Sequence, residues 1–227
     1  MADGARPGSA TEHLWAEVAA DFASTSERTG LRTPSPRVWQ ALRGVPREVF
    51  VDLDWQDAAL ENRPLPIGYG QTISQPFIVA LMTALVDPEP THRVLEIGTG
   101  CGYQAAVLAQ LAGRVVSIER IAGLSEEAHG HLRALGIGNV ELHVADGWLG
   151  WPALAPYDRI VVTAAPTDVP PALLVQLNAP GRMVLPVGPH GYQHLRVIDK
   201  AADGALHSRD VLEVTFVPMP QGRVDGG

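Results

Sequence analysis

A glycine-rich turn at residues 96–102 (EIGTGCG) lies between an apolar run and a helical pattern. Glycine has no Cβ atom, so such a turn lets the backbone approach a bound ligand closely. In doubly wound sheets, ligands bind beyond the carboxyl ends of the strands, which is where this turn would lie. The sequence therefore predicts a small-molecule site at this turn.

The spacing of the glycines distinguishes between ligand classes. The dinucleotide fingerprint has glycines at its first, third and sixth positions, whereas here Gly98, Gly100 and Gly102 occupy the first, third and fifth. No P-loop lysine follows them. Glu96, two positions before the first glycine, completes a pattern that resembles motif I of S-adenosylmethionine-dependent methyltransferases. A plain tight turn between a strand and a helix is the alternative.

Two acidic residues at later strand ends favour the cofactor. Glu119 follows the strand-like residues 115–118, where a carboxylate can accept hydrogen bonds from both ribose hydroxyls. Asp146 follows residues 140–144, where it could accept from an adenine amino group. Each alone could be a surface carboxylate, but three successive strand ends with the expected group predict an S-adenosylmethionine site.

A second segment, residues 64–76 (PLPIGYGQTISQP), could bind an anion. A flexible Gly-x-Gly loop precedes hydroxyl side chains, and Pro76 is expected to begin a helix. Free N–H groups at a helix N-terminus favour a negative charge. Ser74 is therefore either the cap of this helix or a serine that binds a carboxylate, and the local chemistry does not separate the two interpretations.

The secondary-structure pattern around these residues predicts an α/β fold with a doubly wound, Rossmann-like sheet that would position them. From residue 93 onward, short β-branched runs alternate with helical stretches, as is typical of a parallel sheet with helices on both faces. Residues 194–198 and 211–217 predict terminal antiparallel strands. The helical and Pro/Gly-rich segments before residue 93 are expected to form an N-terminal helical cap.

The length of 227 residues predicts one domain with additions. We expect a single methyltransferase domain over residues 12–220. Within it, residues 12–92 would form the helical substrate cap and residues 93–220 the cofactor-binding core. The small polar residues 1–11 and the tail at 221–227 are expected to be disordered.

Composition excludes several other classes of protein. The chain has 17 basic and 25 acidic residues, a formal net charge of -8, whereas proteins that bind nucleic-acid phosphates normally show the opposite balance. One cysteine permits neither an intrachain disulfide nor a cysteine-built zinc site. The most apolar run, residues 77–86, is too short to cross a bilayer. We expect a cytoplasmic protein that binds no nucleic acid, membrane or metal.

Most of the chain, residues 45–218, resembles the protein-L-isoaspartate O-methyltransferase family. The matching stretches are VPREVFVD, PLPIGYGQTISQP, VLEIGTGCGYQAAVLA, SIER, ADGW, YDRIVVTAAP, VLPVG and FVP, and TISQP is specific to this family among methyltransferases. Members methylate the α-carboxylate of L-isoaspartyl residues, and less well the β-carboxylate of D-aspartyl residues, leaving S-adenosylhomocysteine. The ester cyclises to a succinimide, whose hydrolysis returns some normal aspartate and so repairs aged proteins.

The resemblance implies roles for individual residues. Ser74 would be the active-site serine, and Ile73, Ser74 and Val217 would contact the substrate. The positions that it assigns to the cofactor are Gln71, Thr72, Ile73, Glu96, Gly98, Thr99, Gly100, Cys101, Gly102, Glu119, Asp146 and Gly147. Cys101 stands where many members have serine. We expect it to be a small residue that fits, and an oxidisable thiol is the alternative.

The chemistry implied by the resemblance needs no general base. A carboxylate with a pKa of about 4 is already ionised at neutral pH, so Ser74 would orient it rather than attack. The carboxylate oxygen and the methyl carbon must be held in line at about 3 Å. The expected partners are isoaspartyl peptides and proteins. The sequence does not determine the oligomeric state, and a monomer is favoured. An aspartyl methyltransferase acting on a dedicated precursor peptide in natural-product biosynthesis is the alternative.

Overall fold

A mixed seven-stranded sheet forms the centre of the protein in the computed structural model, which describes residues 7–222. The disorder expected at the two ends falls largely on residues 1–6 and 223–227, which lie outside the described residues. The N-terminal part contains α1 (Pro7–Thr29), α2 (Pro36–Gly44), two 3-10 helices (Arg47–Phe50 and Leu53–Ala58), β1 (Leu65–Pro66), β2 (Thr72–Ile73) and α3 (Pro76–Val86). The remainder contains β3 (Arg93–Ile97), α4 (Tyr103–Ala109), β4 (Arg114–Glu119), α5 (Ala122–Ala134), β5 (Val140–Val144), two 3-10 helices (Gly147–Leu149 and Pro152–Leu154), β6 (Tyr157–Val162), α6 (Pro171–Gln176), β7 (Leu177–Val187), β8 (Gln193–Lys200) and β9 (Leu206–Val214).

The topology of this sheet confirms the predicted doubly wound arrangement. The strand order is β5-β4-β3-β6-β7-β8-β9, with parallel pairing from β5 to β7 and antiparallel pairing from β7 to β9. The carboxyl ends of the parallel strands therefore lie at one edge. Ile97 pairs with both Ile118 and Val162, which places the residues following β3, β4 and β6 side by side.

Two apolar cores lie on opposite faces of the sheet because side chains alternate along each strand. Val94 and Val115 belong to one core, which also takes the apolar sides of α1 to α5. Leu95 and Val116 belong to the other, together with Leu173 of α6. Helices thus cover both faces, as a largely parallel sheet requires.

The N-terminal cap is joined to the core through α1 and α3. Leu14, Val18 and Phe22 recur every four residues on α1 and are all buried, which confirms the helical period read from the sequence. Phe22 packs edge to face against Phe77 of α3, with 5.4 Å between the ring centroids. Within residues 7–222, no helix combines the length and apolarity needed to cross a membrane.

The start of α1 and both ends of β9 differ from the prediction. The first helix begins at Pro7, so residues 7–11 are helical rather than disordered. The last strand begins at Leu206, directly after the predicted turn at Gly204, and ends before Val217. Residues 206–210 are all exposed, so they lack the apolar alternation by which a strand is recognised.

Candidate active site

The glycine turn, which we define as residues 98–102, follows β3 as predicted. The Gly98 amide donates to the Ile118 carbonyl of β4 at 2.8 Å. On its other side, the Thr163 hydroxyl after β6 donates to the Gly98 carbonyl at 2.6 Å. Gly98 has a φ of 95°, and a Cβ atom there would lie 2.4 Å from the Thr163 hydroxyl oxygen. The turn is therefore fixed by both neighbouring strands and leaves no room for a side chain at Gly98.

Glu119 lies at the end of β4 and is 6% exposed. One carboxylate oxygen accepts from the Gly100 amide at 2.9 Å. The other accepts from the amides of Arg120 at 2.9 Å and Ile121 at 3.0 Å. An ionised carboxylate offers about four acceptor positions, so this arrangement fixes Glu119 and leaves capacity for a ribose hydroxyl.

Three cavities lie around the glycine turn and the serine loop, defined as residues 64–76. A cofactor cavity of about 260 Å³ is lined by Gln71, Thr72, Ile97, Gly98, Gly100, Ile118, Glu119, Arg120, Ile121, Leu124, Gly147, Thr163, Ala164, Val217, Pro218, Met219 and Pro220. A serine groove of about 790 Å³ is lined by Asp21, Pro64, Thr72, Ser74, Gln75, Phe77, Ile78, Thr163, Val217 and residues 191–194 and 212–216. A junction cavity of about 40 Å³ is lined by Thr72, Ile73, Ser74, Val79, Gly98, Thr99, Gly100, Cys101, Tyr103, Gln104 and Thr163.

Shared walls connect the three cavities. Thr72 and Thr163 line all of them, and Ser74 lines both the groove and the junction cavity. Gly98 lines both the junction and the cofactor cavity, and Val217 lines the groove and the cofactor cavity. A ligand on the glycine turn and a second ligand in the groove would therefore approach each other beside Ser74.

The side chain of Ser74 is available to a ligand. Its hydroxyl has no hydrogen-bond partner among residues 7–222, although its carbonyl accepts from Arg47 at 3.2 Å. The N-cap of α3 is Gln75, which makes no side-chain cap. The Phe77 amide is instead paired with the side-chain oxygen of Asn62 at 3.1 Å. The capping interpretation of Ser74 is therefore wrong for this structure.

Glu96, expected to bind the cofactor, lines none of these cavities. It is fully buried beneath the glycine turn, where it accepts from the Ser117 hydroxyl. Ser117 also lies 2.6 Å, oxygen to oxygen, from the Thr99 hydroxyl. Burial raises the pKa of Glu96 to about 8, and the nearby charge of Glu119 adds to the shift. Glu96 thus supports the turn from below.

Gly102 and Asp146 also line none of the three cavities. Gly102 starts α4 with a φ of 93°, and a Cβ atom there would lie 3.2 Å from the Cβ of Ala128, so it allows α4 to pack on α5. The carboxylate oxygens of Asp146 accept from the amides of Trp148 at 3.0 Å and Gly222 at 2.8 Å. Gly147, its neighbour, is the residue that lines the cofactor cavity.

Cys101 is 4% exposed and lines the junction cavity. Burial raises the pKa of its thiol to about 12, although it lies just before a helix. An activated cysteine would show the opposite shift. This environment supports the interpretation of Cys101 as a small residue that fits.

Three residues of the site were missed from the sequence, namely Arg47, Asn62 and Thr163. Thr163 directly follows the strand-like residues 160–162, and its position at a strand end was a usable signal. Arg47 and Asn62 lie in a segment without periodicity, and their partners are distant in sequence. No group of His, Cys, Asp and Glu side chains within residues 7–222 could hold a metal ion.

Comparison with known proteins agrees with the family resemblance found in the sequence. A family model described as protein-L-isoaspartate(D-aspartate) O-methyltransferase matches residues 24–224. A protein-L-isoaspartate O-methyltransferase of Halorhodospira halophila is 51% identical over 216 residues, covering 91% of this chain and 98% of the relative. A protein-L-isoaspartate O-methyltransferase 2 of Polaromonas sp. is 50% identical over 204 residues, covering 89% and 97%.

Solved structures show the same fold. A protein-L-isoaspartate O-methyltransferase superimposes with a TM-score of 0.77 at 29% identity, covering 92% of this chain and 65% of the other. A Plasmodium falciparum structure, described as a protein-L-isoaspartate O-methyltransferase in complex with S-adenosyl-L-homocysteine, gives a TM-score of 0.74 at 20% identity, covering 89% of this chain and 98% of the other. The second likeness concerns the fold alone.

Proposed function

This chain belongs to the protein-L-isoaspartate(D-aspartate) O-methyltransferase family, and on that premise we propose how its residues hold the two reactants. The enzyme transfers a methyl group from S-adenosylmethionine to the α-carboxylate of L-isoaspartyl residues, and weakly to D-aspartyl residues, in damaged proteins. The precursor-peptide alternative is not favoured, because relatives matched over 97% and 98% of their own length carry the isoaspartate name.

The cofactor cavity fits S-adenosylmethionine by the chemistry of its walls. Glu119 would accept from a ribose hydroxyl, and Ile97, Ile118 and Met219 would supply apolar surface for the base. A Cβ atom at Gly147 would lie 2.3 Å from Ile97, so glycine lets the backbone pack closely on Ile97 in this wall. When bound, S-adenosylmethionine supplies an electrophilic methyl group on a sulfonium leaving group. Gln71 and Thr72 would close the cavity from the serine loop.

We assign the methyl acceptor to the groove side of Ser74. The observation that carries this assignment is the unpaired Ser74 hydroxyl at the wall shared by the groove and the junction cavity. It would donate a hydrogen bond to the substrate carboxylate and so aim one oxygen at the methyl carbon. Val217 would pack against the substrate chain in the groove, and Ile73 would contact it from the junction cavity. The carboxylate is ionised at neutral pH, so no protein group needs to remove a proton.

The substrates are isoaspartyl proteins and peptides, and we propose no nucleic-acid or membrane partner. A formal net charge of -8 favours neither a phosphate backbone nor an anionic lipid surface. We further propose that the enzyme works as a monomer in the cytoplasm. Light scattering of the purified protein would check the monomer, and a second copy in the particle would contradict it.

Two matched peptides test the proposed function. We expect labelled methyl transfer to an isoaspartyl peptide and none to the same peptide with ordinary aspartate. Ser74→Ala should lower kcat at least about tenfold, since a hydrogen bond to a charged group contributes about 1.5–3 kcal/mol. The dissociation constant of S-adenosylhomocysteine should stay within about twofold, because Ser74 does not line the cofactor cavity.

The matched control is Ser208→Ala, which removes an exposed hydroxyl on β9. Its kcat should equal that of the wild type. Equal transfer to both peptides, or none to either, would contradict the isoaspartate assignment. A wild-type kcat in Ser74→Ala would remove the serine from the reaction while leaving the family assignment intact.

A further inference from the structure

We propose that Arg47 and Asn62 are positioning residues that hold the chain at Ser74 and three residues after it, and thereby place the Ser74 hydroxyl for the reaction. The inference rests on the proposed role of Ser74. It concerns the short loop at residues 59–63, which we call the support loop. This loop lies before the serine loop in sequence and is tied to Ser74 through Arg47 and to Phe77 through Asn62.

Arg47 makes the first tie and is only 2% exposed. One guanidinium nitrogen, Nη1, donates to the carbonyls of Ala59 at 2.6 Å and Glu61 at 3.4 Å. The other, Nη2, donates to the carbonyls of Arg63 at 3.0 Å and Ser74 at 3.2 Å. One planar group thus joins three carbonyls of the support loop to the backbone of the serine.

Asn62 makes the second tie from within the support loop. Its side-chain nitrogen donates to the Asp21 carboxylate of α1 at 2.8 Å. Its side-chain oxygen accepts from the Phe77 amide of α3 at 3.1 Å. The chain is therefore held at Ser74 and again three residues later, on either side of the turn into α3.

The backbone ties matter because, within residues 7–222, no hydrogen bond of its own side chain fixes the serine. The Ser74 hydroxyl has no partner within residues 7–222, so its direction depends on where the backbone carries it. Displacement of a reacting group by about 1 Å can cost about a hundredfold in rate. By holding the backbone of Ser74, Arg47 would thus set the position of the Ser74 hydroxyl, to which it makes no hydrogen bond itself.

The guanidinium is suited to this task in a way that lysine is not. Among residues 7–222, Arg47 makes no ion pair with a carboxylate, and its hydrogen-bond partners are backbone carbonyls. Its planar guanidinium donates from two terminal nitrogens to separate carbonyls at once, whereas an ammonium group is a single point of charge. Arg47→Lys therefore keeps the charge and loses the geometry.

A double-mutant cycle separates positioning from folding. The variants are Arg47→Lys, Ser74→Ala and the double variant, with Arg159→Lys as the matched control. Arg159 also donates to carbonyls, those of Val86 at 2.7 Å and Asp87 at 3.3 Å, but it lines none of the three cavities. The readouts are kcat, KM for an isoaspartyl peptide and the dissociation constant of S-adenosylhomocysteine.

We expect Arg47→Lys to lower kcat/KM for the peptide at least about tenfold while cofactor-product affinity changes less than about twofold. In the Ser74→Ala background the same substitution should cost less than about twofold, because the group it positions is gone. Arg159→Lys should leave kcat/KM within about twofold of the wild type. A loss of folded protein would lower kcat/KM by the same factor in both backgrounds, so the dependence on Ser74 separates positioning from folding.

An equal cost of Arg47→Lys in both backgrounds would overturn the inference and leave Arg47 as a support of the fold. A neutral Ser74→Ala variant would instead overturn the proposed role of the serine. If Arg47→Lys does not fold, Asn62→Ala takes its place in the cycle with the same expected loss of coupling. Independent effects of Asn62→Ala and Ser74→Ala would then overturn the inference.

Discussion

The glycine turn and the serine loop both depend on glycines with positive φ, but for different reasons. Gly98 has a φ of 95°, and a Cβ atom there would overlap the Thr163 hydroxyl. Gly68 and Gly70 have φ values of 83° and 69°, yet a Cβ atom on either would have no neighbour within 4 Å. The turn needs glycine for conformation and for space, whereas the loop needs it for conformation alone.

The two regions also have different buried supports. Beneath the glycine turn lies Glu96, whose carboxyl can become neutral by taking up a proton. Beneath the serine loop lies Arg47, whose guanidinium stays charged and spreads over four carbonyls. The glycine turn is held by close packing at the end of β3. The serine loop is held by side-chain hydrogen bonds to backbone groups that are distant in sequence.

The largest expected effect is at Gly98, on the cofactor side. Gly98→Ala combines left-handed strain with overlap of the Thr163 hydroxyl, together about 3 kcal/mol or more. We expect the dissociation constant of S-adenosylhomocysteine to rise about a hundredfold or more, as measured by calorimetry. Gly68→Ala is the control, since it adds only the strain and should change this constant less than about threefold. Wild-type affinity in a folded Gly98→Ala variant would contradict the contrast.

The glycine turn could be predicted from the sequence because its determinants are local. One β-α-β unit contains the strand end, the glycine spacing and the acid at Glu119, so the local sequence pattern was enough to predict the site. Asp146 shows the limit of the same reasoning, because it accepts from two backbone amides, one of them from Gly222, and lines none of the three cavities, so its contact with adenine stays a prediction. A strand-end position thus predicts where a carboxylate lies but not which cavity it reaches.

The supports of the serine loop could not be predicted in this way. Arg47 lies 27 residues from Ser74 and Asn62 lies 41 residues from Asp21, and no spacing rule links such pairs. Thr163 lies 65 residues from the Gly98 carbonyl to which it donates. Family resemblance found the serine, but only the three-dimensional contacts show what holds it.

The next effect concerns Glu96 and the dependence of stability on pH. Burial raises the pKa of Glu96 from 4.5 to about 8, so between these values the folded state holds a proton that the unfolded state has lost. Unfolding then releases a proton, and the contribution of Glu96 to stability falls as pH rises through this window. The fall is up to about 1.4 kcal/mol per pH unit.

Glu96→Gln removes this titration, so the free energy of unfolding should fall less steeply between pH 5 and pH 8 than in the wild type. Urea unfolding at several pH values measures both slopes. Glu126→Gln removes an exposed acid of α5 and serves as the control, with a slope like that of the wild type. Identical slopes for Glu96→Gln and the wild type would show that Glu96 is ionised beneath the turn.

The smallest effect is expected at Gly70 and tests the contrast most sharply. Gly70→Ala should lower the free energy of unfolding by about 1 kcal/mol, the cost of left-handed backbone for a residue with a Cβ. Gly70→Asn should recover much of that loss, because asparagine adopts this conformation more readily and the space is open.

The same exchange at Gly98 should recover nothing, since asparagine and alanine share the Cβ atom that meets the Thr163 hydroxyl. Urea unfolding of the four variants, Ala and Asn at each position, separates conformation from space. If Gly70→Asn is as damaging as Gly98→Asn, the serine loop is packed as closely as the glycine turn. In that case the support of Ser74 would include contacts along the loop, beyond those of Arg47 and Asn62.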